Sequence, residues 1–215
     1  MNTDFFRLCL DQGVLRFGQF TLKSGRTSPY FFNAGLFASG ASVAQLGRHY
    51  ANAIVASGVE FDMLFGPAYK GIPLATTIAV ALADHHDRDV PFAYNRKEIK
   101  DHGEGGVIVG AELCGRVLVV DDVISAGTSV NESAQLIDQA NADLAGVAIA
   151  LDRQERGDES TKSAAQLVAE RFAVEVISIG NLDQLIEFIN RERKLEGEQS
   201  SIADLMVDYR ARYGA

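Results

Sequence analysis

The feature that most constrains the fold is an apolar run that ends in two carboxylates and a loop of small and hydroxyl-bearing residues. It spans residues 116–129 and reads Arg-Val-Leu-Val-Val-Asp-Asp-Val-Ile-Ser-Ala-Gly-Thr-Ser. Residues 117–120 are apolar and mostly β-branched, which is typical of a short parallel strand buried on both faces. The following residues predict an amphipathic helix, with Thr128 or Ser129 as its cap and Glu132 at capping-box spacing. The sequence therefore predicts a loop that joins a buried strand to a helix.

Such a strand-to-helix loop is suited to binding phosphate, because unpaired backbone N–H groups and the positive end of the helix dipole converge there. Ala126 and Gly127 let the backbone approach a ligand closely, and the neighbouring hydroxyl side chains add donors. Asp121 and Asp122 repel anions and instead suit sugar hydroxyls or a divalent cation. We therefore expect a ligand with a phosphate, a polyol and Mg²⁺. A buried strand and a capped helix without a ligand are the alternative.

A second strand-loop-helix junction follows a predicted strand at residues 63–65. It reads Gly-Pro-Ala-Tyr-Lys-Gly-Ile-Pro-Leu-Ala over residues 66–75, and the helix is predicted over residues 72–83. Lys70 stands at the N-terminal end of this helix, where the dipole favours anions, so it fits best if it shares an anionic ligand with the backbone. A solvated lysine is the alternative. Two such junctions on one parallel sheet open on the same edge.

A basic, glycine-rich segment lies between the two junctions, at residues 96–106. We expect an exposed, mobile segment and not a packed element. Clustered cations followed by glycines are typical of a lid that closes over polyphosphate, whereas the acidic neighbours allow a merely solvated loop. The potential cations are Arg96, Lys97, Lys100 and His102.

Two further segments carry side chains that suit a ligand. A predicted strand at residues 144–151 ends in Asp-Arg, so the Arg153 guanidinium should lie near the same sheet edge and could pair with a ligand carboxylate, unless it forms only a surface ion pair. A hairpin predicted within residues 18–35 contains three consecutive aromatic residues, Tyr30, Phe31 and Phe32. At least one of them must face something other than the core, either a flat ligand ring or a second apolar layer.

The remaining periodic segments predict an alternation of helices and strands that favours an α/β fold. Helices are predicted over residues 4–15, 42–56, 163–171, 182–190 and 202–213, and strands over residues 91–95 and 174–179.

Composition limits the class of protein. The chain has 215 residues, of which 47% are apolar, enough for one α/β core, so we expect a single domain over residues 1–215. A net charge of −9 argues against a nucleic-acid partner, and no apolar run approaches the ~20 residues needed to cross a bilayer. Cys9 and Cys114 lie in apolar segments and fit small buried residues in a reducing compartment. We expect a cytoplasmic protein without a membrane partner.

The loop at residues 121–129 resembles the binding signature for 5-phosphoribosyl 1-diphosphate (PRPP) of the type I phosphoribosyltransferases. This chain has Ser125 where that family usually has threonine, which keeps the hydroxyl. With four further motif regions, the chain resembles the orotate phosphoribosyltransferase family over nearly its whole length. These regions are residues 21–26 with 28–33, 66–75, 96–103 and 151–155.

The resemblance implies the type I phosphoribosyltransferase fold, a central parallel sheet flanked by helices with a small N-terminal hood, mainly residues 1–40, that contains a β-hairpin. It implies transfer of the phosphoribosyl group from PRPP to orotate, giving orotidine 5′-phosphate and diphosphate in pyrimidine (UMP) biosynthesis. Mg²⁺ would be held mainly by the diphosphate and water, with no metal ligand from the protein. A homodimer is implied in which the lid, residues 96–106, reaches the partner's site. A purine phosphoribosyltransferase and a non-catalytic PRPP sensor are the alternatives.

The resemblance also assigns roles to individual residues. Catalytic roles are implied for Lys100, His102, Asp121 and Asp122. Orotate would contact Lys23, Phe31, Phe32, Ser125 and Arg153. PRPP would contact Lys23, Tyr69, Lys70, Arg96, Lys97, Lys100, His102, Asp121, Asp122, Val123, Ile124, Ser125, Ala126, Gly127, Thr128 and Ser129.

Overall fold

Strands and helices alternate through most of the chain. A computed structural model describes residues 3–22, 25–100, 106–156, 160–196 and 201–215, without the side chains of residues 99, 100, 193–196 and 201. The strands described are β1 (Leu15–Thr21), β2 (Thr27–Phe32), β3 (Met63–Gly66), β4 (Phe92–Lys100), β5 (Gly106–Gly110), β6 (Arg116–Asp121), β7 (Asp143–Asp152) and β8 (Glu175–Asn181). The α-helices are α1 (Thr3–Asp11), α2 (Gly40–Ser57), α3 (Gly71–His86), α4 (Thr128–Gln139), α5 (Ala164–Phe172), α6 (Leu182–Glu196) and α7 (Ser201–Tyr213).

The central sheet has the strand order β5-β4-β3-β6-β7-β8. Strands β4, β3, β6, β7 and β8 are parallel, and β5 is antiparallel to β4 at the edge. The apolar run predicted as a buried strand lies in the interior of this sheet as β6, and its four residues 117–120 have no exposed surface. The predicted α/β fold with a central parallel sheet is therefore confirmed, and the structure adds β5 as an antiparallel strand at the edge.

The two faces of β6 pack against different sets of helices. Leu118 and Val120 belong to a large core that includes Tyr50 of α2 and Ile78 of α3. The alternate residues Val117 and Val119 face a smaller core formed largely with α4 and α5. A strand covered on both faces needs apolar residues at every position, which is why the sequence shows a continuous run and not an alternation.

The hairpin β1–β2 forms a separate antiparallel sheet in which Leu15 pairs with Phe32 and Phe17 pairs with Tyr30. Tyr30 and Phe32 are buried in the large core, whereas Phe31 is half-buried and stacks on Phe20 at 5.5 Å between ring centres. The prediction that one of the three aromatic residues faces away from the core is confirmed, and the outward ring is that of Phe31.

Several predicted boundaries and environments are wrong. Residues 96–100 continue β4 instead of forming a loop, because β4 pairs with β5 from Ala93↔Gly110 to Lys100↔Gly106. The predicted helix at residues 4–15 ends at Asp11, since Gly13 takes a positive φ of 65° before β1 begins. Cys114 is exposed, not buried, and Cys9 is buried as predicted. Residues 101–105 lie outside the described part of the chain.

The other predicted helices and strands lie at their expected places, with ends that differ by a few residues. Capping boxes explain two helix starts, Ser39 with Ser42 at α2 and Ser163 with Gln166 at α5. None of the described helices is long and apolar enough to cross a membrane.

Candidate active site

The carboxyl ends of the parallel strands bring the two predicted junctions together. Strands β3 and β6 are neighbours, and they end at Gly66 and Asp121. The Asp122 carbonyl accepts a hydrogen bond from the Ala150 N–H at 2.9 Å, which ties the loop after β6 to β7. The polar residues that follow three strands therefore share one edge of the sheet, as expected for a ligand-binding crevice.

The loop between β3 and α3 is fixed by two glycines and an asparagine. A Cβ on Gly66 would lie 2.0 Å from the Gly71 carbonyl oxygen, so the two glycines allow a turn too tight for any side chain. The Ala68 N–H donates to Asn95 Oδ1 at 2.8 Å, and the Ala68–Tyr69 peptide bond is cis. Asn95 on β4 thus holds this loop in place.

Lys70 occupies the N-cap position of α3, as predicted, and forms an ion pair with Asp122. Its Nζ lies 2.5 Å from Asp122 Oδ2, and the side chains are 54% and 8% exposed, respectively. The lysine is therefore not simply solvated. In this arrangement the Asp122 carboxylate takes the place of an anionic ligand next to the ammonium group.

Asp121 is buried beside this pair, and burial together with the Asp122 charge raises the pKa of Asp121 to about 6. The Asp122 N–H donates to Asp121 Oδ1 at 2.9 Å. The buried Tyr50 hydroxyl donates to the Asp121 carbonyl at 2.7 Å and so fixes the backbone where β6 ends. A ligand that donates hydroxyl groups would stabilise both carboxylates, whereas an anion would not.

The loop at residues 123–129 leads into α4 by a different route from the predicted one. Gly127, with φ of 73°, is the N-cap, and no side chain caps the helix. The predicted capping by Thr128 or Ser129 with Glu132 is therefore wrong, because the left-handed glycine starts the helix one residue earlier. The first-turn N–H groups and the exposed Ser125 and Thr128 remain available to an anion. Val123 is half-buried, Ile124 and Gly127 are buried, Ala126 is exposed and Ser129 is half-buried.

The basic segment approaches the site through Lys97. Its Nζ lies 4.9 Å from the centre of the Tyr69 ring, and Tyr69 is 67% exposed. Arg96, one residue earlier on β4, is half-buried. Lys23, His102 and the side chain of Lys100 lie outside the described residues.

Arg153 follows β7, and its side chain is held by Glu155 and Tyr30. Its Nε and Nη2 donate to Glu155 Oε1 at 3.0 and 2.7 Å, and its Cζ lies 5.0 Å from the centre of the Tyr30 ring. Burial opposes the charge of Arg153, but Tyr30 and Glu155 outweigh it and raise the pKa of the guanidinium. The side chain is only 18% exposed, so this is a partly buried ion pair at the strand end.

The predicted orotate pair of phenylalanines is divided between the two faces of the hairpin. Phe32 is buried in the core, while the ring of Phe31 packs with Phe20 and lies 5.9 Å from the Arg16 guanidinium. Of these two rings, only that of Phe31 is partly open to a ligand.

Sequence reasoning missed several residues that support the site. Asn95 and Tyr50 act through hydrogen bonds to the backbone of distant segments, and no local pattern signals such contacts. Glu155 lies two residues after Arg153 within the motif at residues 151–155, and this short spacing is a signal that the two side chains can pair. The sequence around Tyr209 on α7 contains no such signal.

The fold and this edge of the sheet define a phosphoribosyltransferase, and the family model of the phosphoribosyl transferase domain matches residues 37–181. An orotate phosphoribosyltransferase of Chromohalobacter salexigens is 60% identical over 220 positions, covering 98% of this chain and 94% of the relative. One of Pseudomonas aeruginosa is 57% identical over 211 positions, covering 98% and 97%. The crystal structure of the Francisella tularensis orotate phosphoribosyltransferase matches with a TM-score of 0.88 and 42% identity, covering 99% of this chain and 100% of that chain. This chain belongs to the orotate phosphoribosyltransferase family.

Proposed function

We propose that this chain transfers the 5-phosphoribosyl group from PRPP to orotate, giving orotidine 5′-phosphate and diphosphate in pyrimidine biosynthesis. The observation that carries the proposal is the contact between Lys70 and Asp122, which puts a cation and an acidic pair beside the N-terminus of α4. PRPP requires this combination, because it presents a phosphate, a diol and a diphosphate within one small molecule. The names and high identities of the relatives support the same reaction.

PRPP binding rearranges the Lys70–Asp122 pair. The 5′-phosphate occupies the loop at residues 123–129, where backbone N–H groups and hydroxyls can donate to it. Asp121 and Asp122 accept hydrogen bonds from the ribose hydroxyls, which releases Lys70 to the diphosphate. The remaining diphosphate contacts come from Tyr69, Arg96, Lys97, Lys100 and His102, with Lys23 reaching both substrates.

Orotate is held by Arg153, Lys23 and Ser125, with Phe31 and Phe32 beside its ring. A guanidinium can donate two parallel hydrogen bonds to the orotate carboxylate, which fixes the ring relative to the anomeric carbon. The half-buried Phe31 provides the more accessible aromatic face of the pair.

The chemistry requires charge stabilisation and no covalent nucleophile from the protein. The new C–N bond forms at the anomeric carbon as the C–O bond to diphosphate breaks and its electron pair leaves with the diphosphate. The proton on the attacking nitrogen is lost to diphosphate or solvent. The ribosyl group is electron-poor in this oxocarbenium-like state, so the carboxylates of Asp121 and Asp122 stabilise it.

Magnesium fits this donor set as an ion held by the diphosphate and water. Asp122 already pairs with Lys70, and the described residues contain no group of three histidine, cysteine, aspartate or glutamate side chains that could hold a metal. When bound, Mg²⁺ offsets the negative charge on the leaving diphosphate.

We further propose a cytoplasmic homodimer of single-domain subunits, without a nucleic-acid or membrane partner, in which the lid at residues 96–106 reaches the partner's site. The net charge of −9 supports the absence of a nucleic-acid surface. Lys97 contacts Tyr69 of its own chain. The part of the lid that would reach the partner's site is therefore the part that follows residue 97.

The reaction is tested by following the ultraviolet absorbance of orotate with and without PRPP and Mg²⁺. Consumption of orotate that needs both is expected. Parallel assays with adenine, guanine and hypoxanthine separate a purine phosphoribosyltransferase. Binding of PRPP without turnover of any base would overturn the proposal in favour of a sensor.

The orotate subsite is tested by Arg153→Ala, with Arg116→Ala as the matched control. Arg116 is the first residue of β6 and so lies at the amino ends of the parallel strands, away from the proposed site. It also forms an ion pair, with Asp62 at 2.9 Å. Losing a charge-assisted pair should weaken orotate binding roughly ten- to a hundredfold in the Arg153 variant and leave PRPP binding nearly unchanged. Unchanged orotate affinity by titration calorimetry would remove Arg153 from the site.

A further inference from the structure

One carboxylate oxygen joins three separate parts of the chain beside Arg153. Glu155 Oε1 accepts hydrogen bonds from Arg153 Nε and Nη2, from the Tyr30 hydroxyl at 3.2 Å and from the Tyr209 hydroxyl at 2.8 Å. Tyr30 lies on β2 of the hairpin and Tyr209 lies on α7, 54 residues from Glu155. Hairpin, strand end and α7 therefore meet at a single acceptor.

We propose that Glu155 and Tyr209 are positioning residues for the Arg153 guanidinium, so that α7 sets the geometry and the strength of the orotate subsite. The inference rests on the proposed function, because it gives Arg153 the role of holding orotate. It assigns α7 a part in recognising the substrate, which no motif in the sequence indicated.

The contacts of Arg153 leave a defined part of the guanidinium for a ligand. Nε and Nη2 are both engaged by Glu155, and the Tyr30 ring lies near Cζ. Nη1 makes no hydrogen bond to any residue within the described ranges, so its N–H groups remain for a carboxylate. A guanidinium held at one edge loses less side-chain entropy when a ligand binds at the other.

The tyrosine hydroxyls also control how strongly Glu155 competes with the ligand. A carboxylate paired only with Arg153 would cancel most of the attraction of Arg153 for an anionic substrate. Two hydroxyl donors share the charge of Glu155, so more of the field of the guanidinium is left for orotate. Both tyrosines stay protonated, because burial and the Glu155 charge raise the pKa of Tyr209 to about 12 and burial raises the pKa of Tyr30.

The backbone near α7 fixes the segment that carries Glu155. The Arg156 N–H donates to the Tyr213 carbonyl at 2.9 Å, and the Ala215 N–H donates to the Gln154 carbonyl at 2.8 Å. On the ring side, Tyr209 meets Tyr30 edge-on with 6.0 Å between ring centres. Removal of the Tyr209 hydroxyl alone therefore leaves the docking of α7 in place.

The experiment compares Tyr209→Phe with Tyr213→Phe. Tyr213 lies on the same helix and packs on Tyr209, but its hydroxyl makes no hydrogen bond within the part of the chain described. We expect Tyr209→Phe to raise the KM for orotate about three- to tenfold at saturating PRPP, with the KM for PRPP and the thermal midpoint nearly unchanged. Tyr213→Phe should leave both KM values unchanged.

A second arm tests whether the effect passes through Arg153. Adding Tyr209→Phe to Arg153→Ala should not weaken orotate binding further, whereas independent roles would multiply the two losses. Glu155→Gln serves as a second disruption of the network. It removes the competing charge but also weakens the anchor that holds Arg153 Nε and Nη2, and because the anchor orients the guanidinium we expect the KM for orotate to rise. A fall in this KM would mean that Glu155 only competes with the ligand, and it would overturn its positioning role. An unchanged orotate KM in both Tyr209→Phe and Glu155→Gln would overturn the positioning role, as would an equal rise in both substrates' KM values.

Different results would overturn the proposed orotate subsite and the proposed role of α7. If Arg153→Ala itself leaves orotate affinity unchanged, the assignment of the orotate subsite is wrong. If Arg153→Ala weakens orotate binding and Tyr209→Phe does not, the subsite stands and only the role of α7 is overturned.

Discussion

The Lys70 ammonium and the Asp122 carboxylate lie 2.5 Å apart across two loops that follow neighbouring strands, β3 and β6. Replacing Lys70 with methionine leaves Asp122 buried without its cation. We expect the free energy of unfolding to fall by about 1 kcal/mol, a modest value because the lysine is 54% exposed and partly screened by solvent. The KM for PRPP should rise, since Lys70 is a proposed diphosphate ligand.

The control for this variant is Lys162→Met. Lys162 forms a pair of similar length with Glu170, at 2.6 Å, but both side chains are about half exposed. Chemical denaturation of both variants should show little loss for Lys162→Met. Equal losses of unfolding free energy in the two variants would mean that the burial of Asp122 does not strengthen its ion pair with Lys70.

The raised pKa of Asp121 predicts a pH dependence of stability in the ligand-free protein. Between its ordinary pKa of 3.8 and the folded value of about 6, the folded state keeps a proton that the unfolded state has released. This contribution to stability is complete below about pH 4 and is lost as the pH rises through 6. Relative to Asp121→Asn, the wild type should therefore lose free energy of unfolding between pH 4 and pH 7.

Asp62 provides a comparison of opposite sign. Hydrogen bonds from Arg116 lower the pKa of Asp62 to about 2, so its contribution is present above pH 4 and is lost as the pH falls through 2. Denaturation curves of wild type, Asp121→Asn and Asp62→Asn between about pH 2 and pH 7 separate the contribution of Asp121 to stability from that of Asp62. A pH-independent difference between wild type and Asp121→Asn would contradict the burial of an ionisable Asp121.

Gly127 should matter both for the backbone and for PRPP. Alanine at its φ of 73° costs about 1 to 2 kcal/mol, and the added Cβ would lie 3.3 Å from Val168 Cγ2. Gly58 has nearly the same φ, 74°, with no atom within 4 Å of an added Cβ. Both alanine variants should lose stability, but only Gly127→Ala should also weaken phosphate and PRPP binding by titration calorimetry. Equal PRPP affinity in the two variants would remove this turn from the phosphate site.

The subunit that each lid serves can be determined by mixing two inactive variants. Lys100→Ala alters the lid, and Asp122→Ala alters the loop after β6. If the lid crosses the dimer, a mixed dimer contains one intact site, and a random equal mixture should recover about a quarter of wild-type activity. Each variant alone should show a strongly reduced kcat.

Native mass spectrometry must first confirm that mixed dimers have formed in this experiment. Activity that stays at the level of the separate variants would then mean that the lid acts within its own subunit, consistent with the contact between Lys97 and Tyr69 of one chain. A Lys100→Ala enzyme with the wild-type rate would exclude the catalytic role of the lid lysine.

The sequence by itself determined the features that depend on neighbouring residues. The run at residues 117–120 indicated a strand buried on both faces, and Lys70 and Arg153 were correctly placed at a helix start and a strand end. Burial periodicity and turn chemistry act over a few residues, so a local pattern records them. The prediction of the N-cap of α4 was wrong because the same residues are compatible with a left-handed Gly127 and with a cap by the hydroxyl of Thr128 or Ser129.

Only the tertiary structure decided which of these residues meet. Lys70 and Asp122 are 52 residues apart, and they pair because β3 lies next to β6 although β4 and β5 come between them in the chain. The extension of β4 through residues 96–100 depends on a partner strand, β5, which supplies the hydrogen bonds. Tyr209 reaches Glu155 because α7 packs against β2 and its C-terminal end is hydrogen-bonded to the backbone on either side of Glu155. Strand order and helix docking follow from the packing of the whole chain, and no local segment carries that information.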